Sequence, residues 1–201
     1  MKVIGIYGSP RKGGNSDLVL DSALSGAHEK GVEVERIYVR DLEISGCIEC
    51  GACEKTGTCA VEDDMQDVYH LLGRADVIVL SSPIFFYGLT SQLKALIDRG
   101  QAMWCRRRLC KGSKGEKDKH KGRGYLIAIG ATRGKNLFQG VQLVARYFFD
   151  ALGIEYSGGL FFPGIESKGA VRNHREVLRK AYEFGERMVT DKHKHHNALS
   201  L

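Results

Sequence analysis

The chain has 201 residues, 43% hydrophobic and 27% charged, enough to bury one substantial core and too few for two comfortable domains. Its net charge of +6 does not mark a nucleic-acid binder: nine Lys or Arg between Arg106 and Arg123 face only Glu116 and Asp118, a net of +7 that leaves −1 elsewhere. No apolar run approaches the ~20 residues of a membrane helix, and Met1-Lys2 leads straight into a strand-like run without a secretory leader, so a cytoplasmic protein is expected, with no membrane and no nucleic-acid partner.

Lys2 to Tyr7 reads as a strand, followed by a Gly/Ser/Asn loop and a helix with Leu20, Ala23, Leu24 and Ala27 on one face. Val32 to Val39 is a second strand. Met65 to Gly73 is a helix leading into a third, almost wholly apolar strand over Ala75 to Ser81. Near-continuous apolar strands imply burial on both faces. Thr90 to Gln101 is helical, with Leu93, Leu96 and Ile97 as its stripe, and Gly124 to Gly130 is a fourth strand beyond a basic loop at 106–123. Phe138 to Leu152 is a helix, Ile154 to Phe162 a fifth strand and Asn173 to Met188 a last amphipathic helix. This alternation predicts a doubly wound α/β fold with a five-stranded parallel sheet in the order 2-1-3-4-5. One domain is expected over residues 1–190, carrying a cysteine-rich loop at 46–60, with a flexible polar tail at 191–201.

Between the first strand and the first helix lies Gly8-Ser9-Pro10-Arg11-Lys12-Gly13-Gly14-Asn15-Ser16. A helix N-terminus presents unpaired N–H groups and a positive dipole end, and Ser9, Asn15 and Ser16 can add side-chain hydrogen bonds to phosphate oxygens. The segment lacks the Gly-Lys-Ser/Thr ending of a triphosphate loop and the Gly-x-Gly-x-x-Gly spacing of dinucleotide sites, so a monophosphate is the simpler guest. An ordinary Gly-rich turn capped by Asn15 or Ser16 is the competing reading.

A second loop, Ser82-Pro83-Ile84-Phe85-Phe86-Tyr87-Gly88-Leu89-Thr90, leaves the C-terminal end of the third strand. In the predicted order, the first and third strands flank the topological switch point where such sheets bind ligands. One loop supplies phosphate donors, and the other supplies flat apolar walls suited to a planar ring. Core or dimer-interface packing is the plainer role for Phe85, Phe86 and Tyr87.

These two loops resemble the FMN-binding loops of the flavodoxin-like NAD(P)H-dependent FMN reductase superfamily. The resemblance implies that Ser9, Arg11, Lys12, Asn15 and Ser16 hold the FMN phosphate and that Pro83, Ile84, Phe85, Phe86, Tyr87 and Gly88 line the isoalloxazine. A weaker third match at Ala131-Thr132-Arg133-Gly134 adds Thr132.

Cys47, Cys50, Cys53 and Cys59 form Cys-x2-Cys-x2-Cys-x5-Cys just beyond the second strand. Four thiolates so close in sequence can converge on one centre. Disulfides suit a cytoplasmic protein poorly, whereas a four-cysteine zinc site is a direct competitor. Structural zinc commonly uses two separated cysteine pairs, while successive x2 spacings match ferredoxin ligation of a cubane cluster. Cys59 is followed by Ala60, where the ferredoxin run has Pro. Cys105 and Cys110 show no partner pattern and are read as structural or incidental.

A cysteine run of this kind on such a chain resembles the iron-sulfur flavoprotein family. That resemblance implies one [4Fe-4S] cluster and one FMN, electrons arriving from ferredoxin and leaving to a small acceptor, and a homodimer or homotetramer in which the cluster of one subunit approaches the flavin of another. Two other readings stay open: a cluster-free NAD(P)H-dependent FMN or quinone reductase, and a non-enzymatic flavodoxin-like electron carrier with a zinc-stapled loop. The basic stretch suits an acidic ferredoxin and the phosphates of NAD(P)H equally. No catalytic residue is singled out, because the cofactors would carry the chemistry.

Overall fold

A computed structural model describes residues 1–111 and 122–190. Strands β1 (Lys2–Tyr7), β2 (Glu33–Tyr38), β3 (Val77–Pro83), β4 (Arg123–Gly130) and β5 (Glu155–Pro163) form one parallel sheet in the order β2-β1-β3-β4-β5. The helices are α1 (Asn15–His28), α2 (Ala52–Thr56), α3 (Met65–Leu72), α4 (Ser91–Arg99), α5 (Gln101–Lys111), α6 (Gln139–Leu152) and α7 (Arg175–Thr190). The predicted flavodoxin-like topology is therefore the observed one.

Alternation along the strands builds the two halves of the core. In β3, Val77 and Val79 pack with α1 and α7 on one face, while Ile78 and Leu80 pack with α3, α4 and α6 on the other. All four are fully buried, each contributing about 1.5–3 kcal/mol. Helices α1 and α7 touch backbone to backbone: a Cβ on Gly26 would strike the Tyr182 carbonyl, and one on Gly185 the Ala23 carbonyl.

Two sequence expectations need correction. The basic loop placed at 106–123 begins as helix, since Arg106, Arg107 and Arg108 belong to α5, and Arg123 opens β4. Arginine is a good helix former, Ala102 and Cys105 bury one face of α5, and Arg107 donates to the Asp150 carbonyl at the C-terminus of α6. Residues 112–121, the rest of that basic stretch, and the tail at 191–201 lie outside the described residues. The helix expected to end at Gln101 instead breaks at Gly100 and resumes as α5. A Cβ there would lie 2.8 Å from the Ile97 carbonyl oxygen and 3.2 Å from the Phe148 ring, so glycine lets the chain pass between α4 and α6. The short α2, inside the cysteine loop, carries no apolar period and was not legible in the sequence.

Candidate functional site

The loops leaving β1 and β3 are stitched together. Gly8 donates its N–H to the Ser81 carbonyl at 2.8 Å, and the Thr90 hydroxyl donates to the Gly8 carbonyl at 2.5 Å while accepting the Leu93 N–H at 3.3 Å as the cap of α4. A Cβ at position 8 would meet Leu93 at 2.5 Å and the Ser81 carbonyl oxygen at 2.8 Å, so only glycine permits this approach. Ser9 turns its hydroxyl onto the Arg11 N–H at 3.1 Å, and Gly13 adopts a left-handed φ of 66°.

At the end of this loop α1 starts with no side-chain cap. Its first-turn N–H groups have no intrahelical acceptors, and Ser16 Oγ is buried with no hydrogen-bond partner. An unpartnered hydroxyl at an uncapped helix N-terminus is the donor set a phosphate requires. Asp17, on the first turn of α1, does not line the cleft: its Oδ2 accepts from Gly13 N–H at 3.0 Å and from Arg40 at 3.0 Å. Burial pushes its carboxyl above the usual range, while Arg40 and the Gly13 N–H oppose the shift. Arg40 also donates to the Ser9 carbonyl at 3.2 Å and stacks over Tyr38 at 4.8 Å, bracing the loop from behind.

The cleft that opens from this helix start has a volume of about 290 Å³. Of the residues the sequence reading proposed, Ser9, Arg11, Asn15, Ser16, Pro83, Ile84 and Phe85 line it. Lys12, Phe86, Tyr87, Gly88 and Thr132 do not. Phe85 and Gly88 close a two-residue turn through paired N–H···O bonds of 3.0 and 2.8 Å, with Phe86 and Tyr87 at left-handed φ of 49° and 61°. Such a turn favours Asn-Gly, so aromatic residues there hold local strain at the rim of the cleft. Phe86 projects fully into solvent, and Tyr87 lies across Gly134. Thr132 uses its carbonyl to accept from Gly164 N–H at 3.2 Å.

Asn15 departs from the role expected of its side chain. Its amide donates to the Ser167 carbonyl at 2.9 Å and its oxygen accepts the Val171 N–H at 3.2 Å, tethering the loop after β5. That loop brings Ile165, Glu166 and Lys168 to the cleft, and Ile129 and Ala131 join from β4 and beyond. Sequence reasoning missed these residues. The available signal was positional, since the end of β5 lies on the same carboxyl edge as the ends of β1 and β3.

The cysteine loop occupies a second cavity, of about 350 Å³, which Cys47, Cys50, Cys53 and Cys59 all line. Its stem is zipped by Glu43 N–H to Asp64 at 2.7 Å and Ser45 N–H to Asp63 at 3.0 Å. Left-handed Glu49, Gly51 and Gly57, with φ of 55°, 71° and 72°, curl the chain around the cavity. Beneath it Arg99, 1% exposed, donates to both oxygens of Asp63 at 2.6 and 3.1 Å, to the Ser45 carbonyl at 2.9 Å and to the Val61 carbonyl at 3.0 Å. Asp63, despite its own burial, is held below the usual carboxylate range by Arg99 and by the Ser45 and Met65 N–H groups.

Cys47 and Cys50 are exposed, while Cys53 and Cys59 are half-buried. Cys105, read from sequence as structural or incidental, is buried on α5 beside Cys53; burial first, then this neighbour, pushes the Cys53 thiol up to about 11. A metal would therefore have to displace that proton on binding. No three His, Cys, Asp or Glu among the described residues converge as a site for one ion. Zinc would need its sulfurs roughly 2.3 Å from a single point. The cavity is ringed by four thiols from one loop, the donor set that either a zinc or an iron-sulfur centre uses.

Cleft and cavity stand at opposite ends of α4: Thr90 before it binds the phosphate-type loop, and Arg99 ends it under the cysteines. Nine helical residues place them roughly 14 Å apart along the axis. Among the described residues no helix is long and apolar enough to cross a membrane.

Residues 1–156 match the NADPH-dependent FMN reductase family. An iron-sulfur flavoprotein of Methanocaldococcus jannaschii is 35% identical over 199 residues, 91% of this chain and 96% of that protein. A second from the same organism is 43% identical over 103 residues, 51% of this chain and 53% of its own length. This match, and two more at 40% and 39% identity, span about half the length of those relatives. The solved NAD(P)H:quinone oxidoreductase from Methanothermobacter marburgensis shares the fold, with a TM-score of 0.71 at 17% identity, 98% of this chain and 99% of that one being covered.

Proposed function

Because the chain belongs to the iron-sulfur flavoproteins of the NADPH-dependent FMN reductase family, and so to the flavin-dependent oxidoreductases, we propose that it passes electrons between a [4Fe-4S] cluster at the cysteine cavity and FMN in the cleft. The observation that carries this reading is the pairing of four cysteines around one braced cavity with an unpartnered Ser16 hydroxyl at the start of α1. When bound, FMN handles one or two electrons and the cluster one at a time.

The chain's own residues bind and orient. Ser16 Oγ and the first-turn N–H groups of α1 take the phosphate, with Arg11 adding charge, and Arg40 keeps Asp17 from repelling it. Pro83, Ile84 and Phe85 form one wall for the ring system, and Ile165 faces the same cleft. Cys47, Cys50, Cys53 and Cys59 ligate the cluster. In this reading the protein is a homodimer or homotetramer in which the cysteine cavity of one copy would approach the cleft of another. Exposed Phe86 beside the cleft, and Leu143 and Tyr147 on α6, supply apolar surface for that contact.

Reduced ferredoxin is the donor in this reading, docking against the positive surface of Arg106 and Arg108. Under anaerobic conditions, reduced ferredoxin in excess over the flavin is expected to bleach the flavin absorbance within seconds, while NADPH alone leaves it unchanged over minutes. Equally fast bleaching by NADPH alone would overturn the donor assignment in favour of direct hydride transfer.

A further inference from the structure

We propose that Arg99 is a positioning residue for the cluster, a buried guanidinium that fixes both ends of the cysteine loop and offsets the negative charge of the four thiolates. The inference rests on the cluster reading above and concerns what lies under the cavity.

Arg99 ends α4, where the negative pole of the helix favours a cation. It lines the cysteine cavity together with the cysteines themselves. Its contacts are asymmetric in sequence: Ser45 lies before the four cysteines, Val61 and Asp63 after them, and one side chain ties the two strands of the loop. Pinning a loop does not itself require a buried charge, because well-packed apolar groups serve as well or better. The charge is explained by what surrounds it.

Both terminal nitrogens are engaged, whereas Arg99 Nε is buried with no partner. Cys59 lines the same cavity as Arg99, and the Tyr69 hydroxyl donates to the Arg99 carbonyl at 2.8 Å. Negative charge held in the cavity would supply the acceptor that Arg99 Nε lacks. Four thiolates together carry more negative charge than a four-iron core cancels, so a fixed cation at the cavity wall favours the reduced, more negative state. Asp63 works against it, and the pair sets a balance.

That balance makes opposite predictions for the two partners. In Arg99→Met, Asp63 is left as an uncompensated negative charge, and the cluster midpoint potential is expected to fall. In Asp63→Asn, the guanidinium is left uncompensated and the potential is expected to rise. Each change is expected to reach at least about tenfold in the reduction equilibrium, about 59 mV for one electron. Arg99→Lys keeps the charge and stays near the wild-type value. Anaerobic spectroelectrochemical titration of the wild-type holoprotein and the three variants reads this directly. If Arg99→Met does not fold or load iron, Asp63→Asn against Arg99→Lys carries the comparison. Shifts in the same direction, or none in an iron-loaded protein, overturn the role of Arg99. Wild-type protein without iron instead overturns the cluster reading, and this role with it.

Discussion

Replacing Asp63 with alanine is expected to destabilise the protein by about 3–5 kcal/mol, the cost of leaving a buried cation without its partner. Asp63 is 36 residues from Arg99 in sequence, yet it accepts two hydrogen bonds from the guanidinium and further bonds from Ser45 N–H at 3.0 Å and Met65 N–H at 3.1 Å. One truncation thus opens the stem of the cysteine loop and the first turn of α3 together. The pH dependence has a definite sign. Asp63 is held below the usual carboxylate range in the folded state, so its stabilisation is complete above the unfolded value near 3.9. It is lost as pH falls through the folded value. Urea unfolding should therefore show a large gap between wild type and Asp63→Ala at pH 7 that narrows in strong acid. A gap below about 1 kcal/mol at pH 7 would mean that the pair behaves as an exposed salt bridge.

The second large effect concerns the flavin. Ser16→Asp is expected to weaken FMN binding by about 100-fold or more, roughly 2.7 kcal/mol, while riboflavin, which lacks the phosphate, changes by less than about threefold. The substituted carboxylate satisfies the start of α1 itself, where negative charge suits the helix dipole, and repels the phosphate that would otherwise use Ser16 and the adjacent N–H groups. Flavin fluorescence quenching measures both affinities. Equal losses for FMN and riboflavin would show that the substitution damages the cleft as a whole and that the phosphate does not sit on Ser16. Ser16→Ala, which removes one hydrogen bond, is expected to cost FMN about 1 kcal/mol.

The parts of this molecule legible in sequence are those with local causes. β1, β3 and β4 are short, nearly continuous apolar runs because both faces are covered, and their alternation with amphipathic segments leaves few topologies open. The loop after β1 announces itself by glycines at a strand-to-helix junction, and the cysteines by spacing. What escaped the sequence depends on distant partners. Nothing in the local sequence singles out Arg99, whose partners Ser45, Val61 and Asp63 only the fold brings around it. Arg40, after β2, gave no hint that it would brace Ser9 and Asp17. Asn15 was read as a phosphate donor because it sits at a helix start, but tertiary structure spends its side chain on Ser167 and Val171. Helix α5 was hidden by its arginines, which resemble a solvated loop in composition while Arg107 reaches the end of α6.

The central claim is that one chain of this sequence carries both an iron-sulfur cluster and a flavin. Its most direct test is iron, acid-labile sulfide and zinc per FMN on protein purified without oxygen. About four irons and four sulfides per flavin are expected, lost together when Cys47, Cys50, Cys53 and Cys59 are replaced. Stoichiometric zinc without iron, or flavin with no metal, would contradict the account and leave a flavin reductase whose cysteine loop serves structure alone.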